Sequence, residues 1–143
     1  MAEAAPRIRC FEPRDEPGLV ALWHACDLVV PWNDPSRDIA SKLAFQPDLL
    51  FVAESDGRVA GSVMVGYEGH RGWINYLAVE PAARRGGLGR ALVERAEREL
   101  GARGCPKVNL QVRGSNRAAV AFYERLGYVI DDTVSLGKRL DGR

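Results

Sequence analysis

A glycine-rich turn between a strand and a long helix constrains the fold of this chain most. Residues 78–90 read AVEPAARRGGLGR, in which a strand-like run ends at Pro81 and a helical pattern begins near Gly87. Glycines let the backbone approach a ligand closely and adopt positive φ. The first N–H groups of a helix have no partner inside it and lie at the positive end of its dipole. The turn therefore predicts an anion site, and the arginines that add positive charge to it are Arg84, Arg85 and Arg90.

Two familiar phosphate-binding motifs are excluded by the residues of this turn. A P-loop requires G-x-x-x-x-G-K-[ST], which the sequence lacks. A dinucleotide-binding fingerprint requires G-x-G-x-x-G after a first strand, whereas Gly87-Leu88-Gly89 continues to Leu92 and lies past the middle of the chain. The remaining alternative to an anion site is a plain strand-to-helix connection with solvated arginines.

The spacing of apolar residues predicts the element order β-α-α-β-β-β-α-β-α-β-β. Asp56-Gly57 between two β-rich runs indicates a hairpin, and Pro, Gly or Asn-Asp clusters separate the other elements. The order favours an α/β (α+β) class with a mixed sheet and helices on both faces, in a single domain of residues 1–143. Strands are expected at 7–11, 49–54, 58–68, 73–81, 107–112, near 129 and at 134–140, and helices at 16–29, 36–45, 87–104 and 115–128.

Composition and charge narrow the range of partners. The chain carries 20 basic and 19 acidic residues, a net charge of +1, so we expect neither nucleic-acid nor membrane binding. No apolar run approaches the ~20 residues of a membrane span, and the start MAEAAPRIRC predicts no signal peptide. Three cysteines without close pairing indicate a reducing compartment, which we take to be the cytoplasm. No Cys/His spacing predicts a metal site.

Two motifs give the chain a resemblance to a known family. Residues 84–89, RRGGLG, match the Q/R-x-x-G-x-G/A motif of the GNAT (GCN5-related) N-acetyltransferases. Residues 116–128, NRAAVAFYERLGY, resemble that family's N-x-x-A-x-x-x-Y-E-K-x-G-F segment. The resemblance extends in element order over residues 7–140. The segments PWNDP, GYEGHRG and SLGKRL are similar to the small bacterial YpeA-like subgroup.

This resemblance implies acetyl-CoA as cosubstrate and direct transfer of its acetyl group to an amine, in a ternary complex and without a metal. In the family, the strand at 73–79 splays from the strand at 108–112, and pantetheine lies in the gap like an added strand. The pyrophosphate lies on the amides at the start of the following helix. The cofactor-binding residues implied are Leu77, Ala78, Val79, Arg84, Arg85, Gly86, Gly87, Leu88, Gly89, Arg90, Asn116, Phe122 and Arg125.

The resemblance also assigns the proton transfers. Tyr123 matches the family tyrosine that protonates the leaving thiolate. Relatives often carry a carboxylate base on the strand before the glycine turn, but residues 72–79 contain none. Glu68 is the candidate base, and Asp34, His70 or a relay through water are the alternatives. A backbone N–H of the 73–79 strand is expected to stabilise the oxyanion.

The acceptor is expected to bind at the loop after the first helix. Trp32 would form an apolar wall, Asp34 would attract a cationic amine, and Asn33 and Asn75 would complete the site. Alternatively, Asp34 caps the next helix and Trp32 packs on the core. The expected partners are acetyl-CoA and a small-molecule or peptide amine, and a homodimer is compatible with the sequence. The rival functions are an acetyltransferase of protein N-termini and a non-catalytic acyl-CoA-binding sensor or interaction domain.

Overall fold

The computed structural model describes residues 5–142. Residues 1–4, the start of the segment predicted to carry no signal peptide, and Arg143 lie outside the described residues. The chain divides into two compact units between Gln111 and Val112, and each unit is described by itself. That the chain forms a single domain stays a prediction. None of the described helices is long and apolar enough to cross a membrane.

The N-terminal unit is a five-stranded sheet with helices packed on it. The strands follow the order β1-β2-β3-β4-β5, with the first three pairs antiparallel and the last pair parallel. A mixed, mostly antiparallel sheet is therefore confirmed. The elements are β1 (Arg7–Cys10), α1 (Glu16–Ala25), α2 (Pro35–Phe45), β2 (Leu50–Ser55), β3 (Arg58–Tyr67), β4 (Gly72–Val79), α3 (Leu88–Ala102) and β5 (Val108–Leu110), with short 3-10 turns at Pro13–Asp15, Pro47–Leu49 and Pro81–Ala83.

Both faces of the sheet are covered because both faces of its strands are apolar. Leu19 and Trp23 of α1 are fully buried in a cluster with Val52 of β2. On the opposite face, α3 comes so close to β3 that a Cβ built on Gly61 would lie 3.0 Å from Leu92 Cδ1. A side chain at Gly61 would therefore force this helix away from the sheet. The expected placement of helices on both faces is confirmed.

The first helix is shorter than its apolar pattern predicts. The pattern extends over residues 16–29, but α1 ends at Ala25 with Cys26 as its C-cap. Asp27 adopts φ +57, which breaks the run of right-handed dihedrals. Leu28 and Val29, the apolar residues beyond it, still pack against the core next to α1, although the helical conformation predicted for them is wrong.

The C-terminal unit contains a single described helix, α4 (Arg117–Arg125). The Asn116 side chain accepts a hydrogen bond from Ala119 N at 3.1 Å and is the N-cap of this helix. The strands predicted near 129 and at 134–140 are wrong, because residues 129–142 contain no strand. Side chains there, such as Val134 and Leu136, are 85% and 92% exposed. Strand propensity reflects packing on a pleated surface, and these side chains have no such packing.

A buried lysine joins α2 to the sheet. Lys42 is only 9% exposed, and its Nζ donates hydrogen bonds to Val65 O and, at 3.1 Å, to Gln46 Oε1. Burial removes water from the ammonium group and lowers the pKa of Lys42 from 10.5 to about 8. Below pH 8 the folded protein therefore keeps a desolvated ammonium group, which lowers its free energy of unfolding. Between pH 8 and 10.5 the folded protein releases this proton while the unfolded chain still binds it, so the free energy of unfolding rises with pH.

We predict that the stability of the wild type rises with pH relative to that of Lys42→Met. From pH 7.5 to 10.5 the difference in free energy of unfolding should shift by roughly 3 kcal/mol in favour of the wild type. Denaturant titrations of both proteins at several pH values measure this shift. Groups common to both proteins cancel in the comparison, so parallel stability curves would contradict the assignment.

Candidate functional site

Among the described residues, no strand pairs with the second half of β4 on its β5 side. Its parallel pairing with β5 runs from Gly72↔Val108 to Ile74↔Leu110, whereas β4 continues to Val79. Residues 75–79 therefore present backbone groups along an edge that β5 does not cover. We call this stretch the open edge of β4. An exposed strand edge of this kind accepts an extended ligand as an additional strand.

A β-bulge lies in β4 where the open edge begins. Ser62 pairs with Ala78 and Met64 pairs with Asn75, so Val63 lies opposite both Tyr76 and Leu77. The bulge changes the direction of the side chains, because Gly72 faces Leu100 of α3 while Tyr76 packs in the cluster with α1. Bulges of this kind re-aim backbone and side chains beside active sites.

The directions of two peptide groups in β4 follow from their hydrogen bonds. Tyr76 O accepts from Ser62 Oγ at 2.9 Å, so the Leu77 N–H of the same trans peptide points the opposite way. Glu80 N donates to Ala60 O of β3 at 2.8 Å, so Val79 O points away from β3. The open edge therefore combines a donor at Leu77 with an acceptor at Val79.

The helix α3 follows the open edge after residues 80–87, which include the 3-10 turn Pro81–Ala83. Its N-cap is Gly87 at φ +82, which has no side chain to cap the helix, and its first turn contains no acidic residue. Arg85, at φ +72, is exposed before this turn. An α-helix of 15 residues with a glycine N-cap and a neighbouring arginine is suited to bind an anion. The predicted glycine turn thus lies between β4 and α3.

Two donors already use the carbonyl of Val79. Arg84 Nε donates to Val79 O at 3.1 Å, and the Cys26 thiol lies 3.4 Å from the same oxygen. Arg84 Nη2 also lies 3.5 Å from Cys26 Sγ, so the arginine connects the turn with the end of α1. A ligand along the open edge would therefore contact the N–H of Val79 or displace these donors. Arg90 pairs with Glu94 at 2.9 Å on the exposed face of α3.

The loop predicted to receive the acceptor is shaped by a helix cap. Asp34 Oδ1 accepts hydrogen bonds from Ser36 N and Arg37 N at 3.1 and 3.3 Å, and is the N-cap of α2. Trp32 is 49% exposed and so does not pack in the core. The structure therefore shows the helix cap that one of the two alternatives predicted for Asp34, but it does not show the core packing that the same alternative predicted for Trp32. Asn33 is half-buried beside them.

The predicted base lies in the turn between β3 and β4. Glu68 is fully exposed, and its Oε1 accepts hydrogen bonds from the backbone N–H groups of Arg71 and His70. These bonds lower the pKa of Glu68, because they favour its ionised form. A lowered pKa makes a carboxylate a weaker base. Asn75, the polar residue predicted near the acceptor, is exposed in β4 beside the bulge.

The other predicted site residues belong to the C-terminal unit. Within that unit, Tyr123 makes edge-to-face contacts with Phe122 and Tyr128, at centroid distances of 5.0 and 5.6 Å. Burial raises the pKa of Tyr123 to about 12, so the phenol keeps its proton over the physiological range. Asn116 caps the helix, and Arg125 is exposed in its last turn.

A group of hydrogen-bonded and stacked side chains surrounds the bulge and was not predicted from the sequence. Tyr76 stacks on the buried Trp23 with ring centroids 3.7 Å apart, and its hydroxyl donates to Asp38 Oδ2 at 2.6 Å. Ser62 Oγ accepts from Trp23 Nε1 at 2.9 Å. These residues come from α1, α2, β3 and β4, so spacing along the chain gives no signal for them.

The chain is similar in sequence and in fold to known acetyltransferases. The model of the acetyltransferase (GNAT) family matches residues 19–128. An acetyltransferase of Sodalis glossinidius is 52% identical over 134 residues, 93% of this chain and 94% of the relative. The structure of the ribosomal-protein-S18-alanine N-acetyltransferase from Escherichia coli is 30% identical with a TM-score of 0.70, and the match covers 85% of this chain and 76% of that one. An aminoglycoside N-acetyltransferase solved in complex with CoA is 17% identical with a TM-score of 0.77 over 98% of this chain and 97% of that one, a likeness of fold alone.

We predict that Gly87→Glu weakens binding of coenzyme A while Gly104→Glu does not. Both glycines have a positive φ, +82 for Gly87 and +81 for Gly104, and a Cβ built on either would meet nothing within 4 Å. Both variants therefore carry a similar backbone strain of about 1–2 kcal/mol. Only the carboxylate at Gly87 lies at the start of α3, where charge repulsion should weaken binding by roughly tenfold or more.

Calorimetric titration of acetyl-CoA into the two folded variants and the wild type measures this difference. Equal affinities for Gly87→Glu and Gly104→Glu would remove the start of α3 from the cofactor site.

Proposed function

The chain belongs to the GNAT acetyltransferase family, and on this premise we propose that it transfers an acetyl group from acetyl-CoA directly to an amine through a ternary complex. The observation that carries the proposal is that the start of α3, with its glycine N-cap, follows the open edge of β4 along the chain. A strand edge can bind an amide-containing arm, and a helix N-terminus can bind a diphosphate. Coenzyme A contains both groups in that order.

In the proposed pose, pantetheine lies along Leu77, Ala78 and Val79 as an added strand. Its diphosphate lies on the amides between Arg85 and Arg90, and Arg84 is close enough in sequence to add charge. Two features support this pose: the Leu77 N–H points away from Ser62, and the first turn of α3 holds no acidic side chain. Asn116, Phe122 and Arg125 are assigned to the cofactor by family resemblance alone.

The proposed chemistry is aminolysis of a thioester. A neutral amine attacks the acetyl carbonyl, a C–N bond forms, the C–S bond breaks, and the thiolate leaves with the electron pair of that bond. The Leu77 N–H stabilises the oxyanion of the tetrahedral intermediate. The amine proton passes to a base, and the thiolate takes a proton or a hydrogen bond from Tyr123, a role that family resemblance alone assigns to this residue. This sequence requires neither a covalent enzyme intermediate nor a metal ion.

The pKa of Tyr123 shapes the role that we assign to it. At a pKa of about 12 the phenol is a weaker acid than an ordinary thiol of ~8.5. Full proton transfer to the thiolate is therefore uphill, and a hydrogen bond to the departing sulfur is the main contribution. Glu68 remains the candidate base, but its lowered pKa favours the alternative bases. Of these alternatives, His70 and a relay through water do not also cap a helix.

The acceptor proposed is a small-molecule or peptide amine bound near Trp32, Asn33, Asp34 and Asn75. A protein N-terminus is the second candidate, favoured by the likeness to an enzyme whose name gives ribosomal protein S18 alanine as its substrate. A cytoplasmic location, a YpeA-like subgroup, a homodimer and the lack of nucleic-acid or membrane partners stay predictions.

An acceptor panel with purified protein and acetyl-CoA tests the proposed function. The panel contains polyamines, amino acids, aminoglycosides and N-terminal peptides, with free thiol read continuously and acetylated product by mass. Stoichiometric thiol and N-acetyl product, appearing only when both substrates are present, are expected. Acetyl-CoA binding without transfer to any amine would favour an acyl-CoA-binding domain, and acetyl transfer to the protein before the acceptor is added would contradict direct transfer.

We predict that Tyr123→Phe lowers turnover by roughly 10²-fold, the low end of the range for acid–base groups. The substitution keeps the ring and its contacts with Phe122 and Tyr128 and removes only the hydroxyl. Acetyl-CoA affinity should stay unchanged, as steady-state kinetics and calorimetry together show. With the pKa of Tyr123 at about 12, no alkaline loss of rate should arise from this group below pH ~10.

The matched control is Tyr128→Phe, which removes a hydroxyl from the aromatic neighbour in the same unit. Wild-type turnover in Tyr123→Phe, or equal losses in both variants, would remove Tyr123 from the mechanism.

A further inference from the structure

The backbone of Tyr76 is strained at the position where the open edge of β4 begins. Tyr76 adopts φ +50 inside a strand, a conformation that large side chains rarely adopt. Such conformations persist where the surroundings hold them, and they cluster at active sites. The contacts of Tyr76 therefore indicate what holds the bulge in place.

Three contacts from three elements fix Tyr76. Its ring stacks on Trp23 of α1 at an interplanar angle of 11°, and Trp23 is fully buried. Its hydroxyl donates to Asp38 of α2 at 2.6 Å, and its carbonyl accepts from Ser62 of β3 at 2.9 Å. Burial and the Asp38 carboxylate both raise the pKa of Tyr76, so the phenol remains a donor. The ring, the hydroxyl and the peptide group are each held separately.

We propose that Tyr76, anchored by its hydroxyl to Asp38, is a positioning residue that aims the Leu77 N–H at the thioester carbonyl. The inference rests on the proposed function, in which this N–H stabilises the oxyanion. Tyr76 O and Leu77 N belong to one rigid peptide plane, so any rotation of Tyr76 turns the N–H of Leu77. Oxyanion donors act only within a narrow range of distance from the developing charge.

The hydrogen bond between Tyr76 and Asp38 fixes the position of Tyr76 and does not serve proton transfer. Asp38 lies in the first turn of α2, where its own N–H donates to Asp34 O at 2.9 Å, so the carboxylate is attached to a folded helix. Its Oδ2 accepts a hydrogen bond from the Tyr76 hydroxyl at 2.6 Å. An asparagine at this position keeps an oxygen acceptor for the phenol and loses the charge, whereas alanine loses both. The two substitutions therefore separate anchoring from charge.

The test compares Tyr76→Phe, Asp38→Ala and Asp38→Asn with the wild type on the best acceptor found. Misplacement of a catalytic group by about 1 Å costs on the order of 10²-fold in rate, so kcat should fall by roughly 10- to 10²-fold in Tyr76→Phe and Asp38→Ala. Affinity for free CoA, which has no carbonyl for the Leu77 N–H to contact, should change by less than ~2-fold in all variants. Asp38→Asn should keep most of the wild-type kcat. The double variant Tyr76→Phe/Asp38→Ala should be no slower than either single variant.

The matched control is Tyr67→Phe, which removes the hydroxyl of another strand tyrosine that donates to a carbonyl, Gly69 O, in the β3–β4 turn. It should keep the wild-type kcat. The proposal is overturned if Tyr76→Phe keeps the wild-type kcat, if CoA affinity falls together with kcat, if Asp38→Asn is as slow as Asp38→Ala, or if the double variant shows additive losses. A wild-type protein that transfers acetyl to no amine would instead overturn the proposed function on which this inference rests.

Discussion

The end of pairing between β4 and β5 after Ile74 and Leu110 is the constraint on which the site depends. Up to that pair the two strands form an ordinary parallel ladder, and beyond it β4 continues alone to Val79. Backbone groups of residues 75–79 thereby lie outside the β4–β5 ladder, and α3 begins after residues 80–87 with a glycine N-cap. A strand edge can bind an extended arm and a helix N-terminus can bind an anion, and the proposed pose uses both for one ligand.

The site is held by contacts on the face of the sheet opposite α3. Trp23, Ser62 and Asp38 bind the ring, carbonyl and hydroxyl of Tyr76, and the bulge at Tyr76 turns the side chains of β4 from one face of the sheet to the other. Strain in one residue is thus balanced by packing in the core, which is why the arrangement persists although φ +50 is unfavourable for tyrosine. The same core connects α1 to the turn, since Cys26 and Arg84 meet at Val79 O.

Features that depend on residues close together in the sequence were predicted, and features that depend on residues far apart in the sequence were missed. The turn at 84–89 and the start of α3 depend on neighbouring residues, and local spacing predicted them. The bulge could not be predicted, because alternation within residues 73–79 is compatible with a regular strand until β3 is placed beside it. Tyr76 and Asp38 are 38 positions apart, and only the folded sheet brings them together. The strands expected at 129 and 134–140 failed because propensity alone does not provide the pairing surface. The sequence allowed two interpretations of Asp34, and the structure shows the helix cap while its role toward the acceptor stays a prediction.

Hydrogen exchange of the backbone, measured with and without acetyl-CoA, shows whether the open edge of β4 and the start of α3 bind the cofactor. We expect the ligand to slow exchange at the amides of residues 77 and 79 and at residues 87–90, the N-cap and first residues of α3. The strands β1 and β2 serve as an internal reference and should exchange equally in both states. Protection confined to other parts of the N-terminal unit, such as the groove between α1 and Gly57 in the β2–β3 turn, would contradict the account, because the open edge of β4 would then not bind the cofactor.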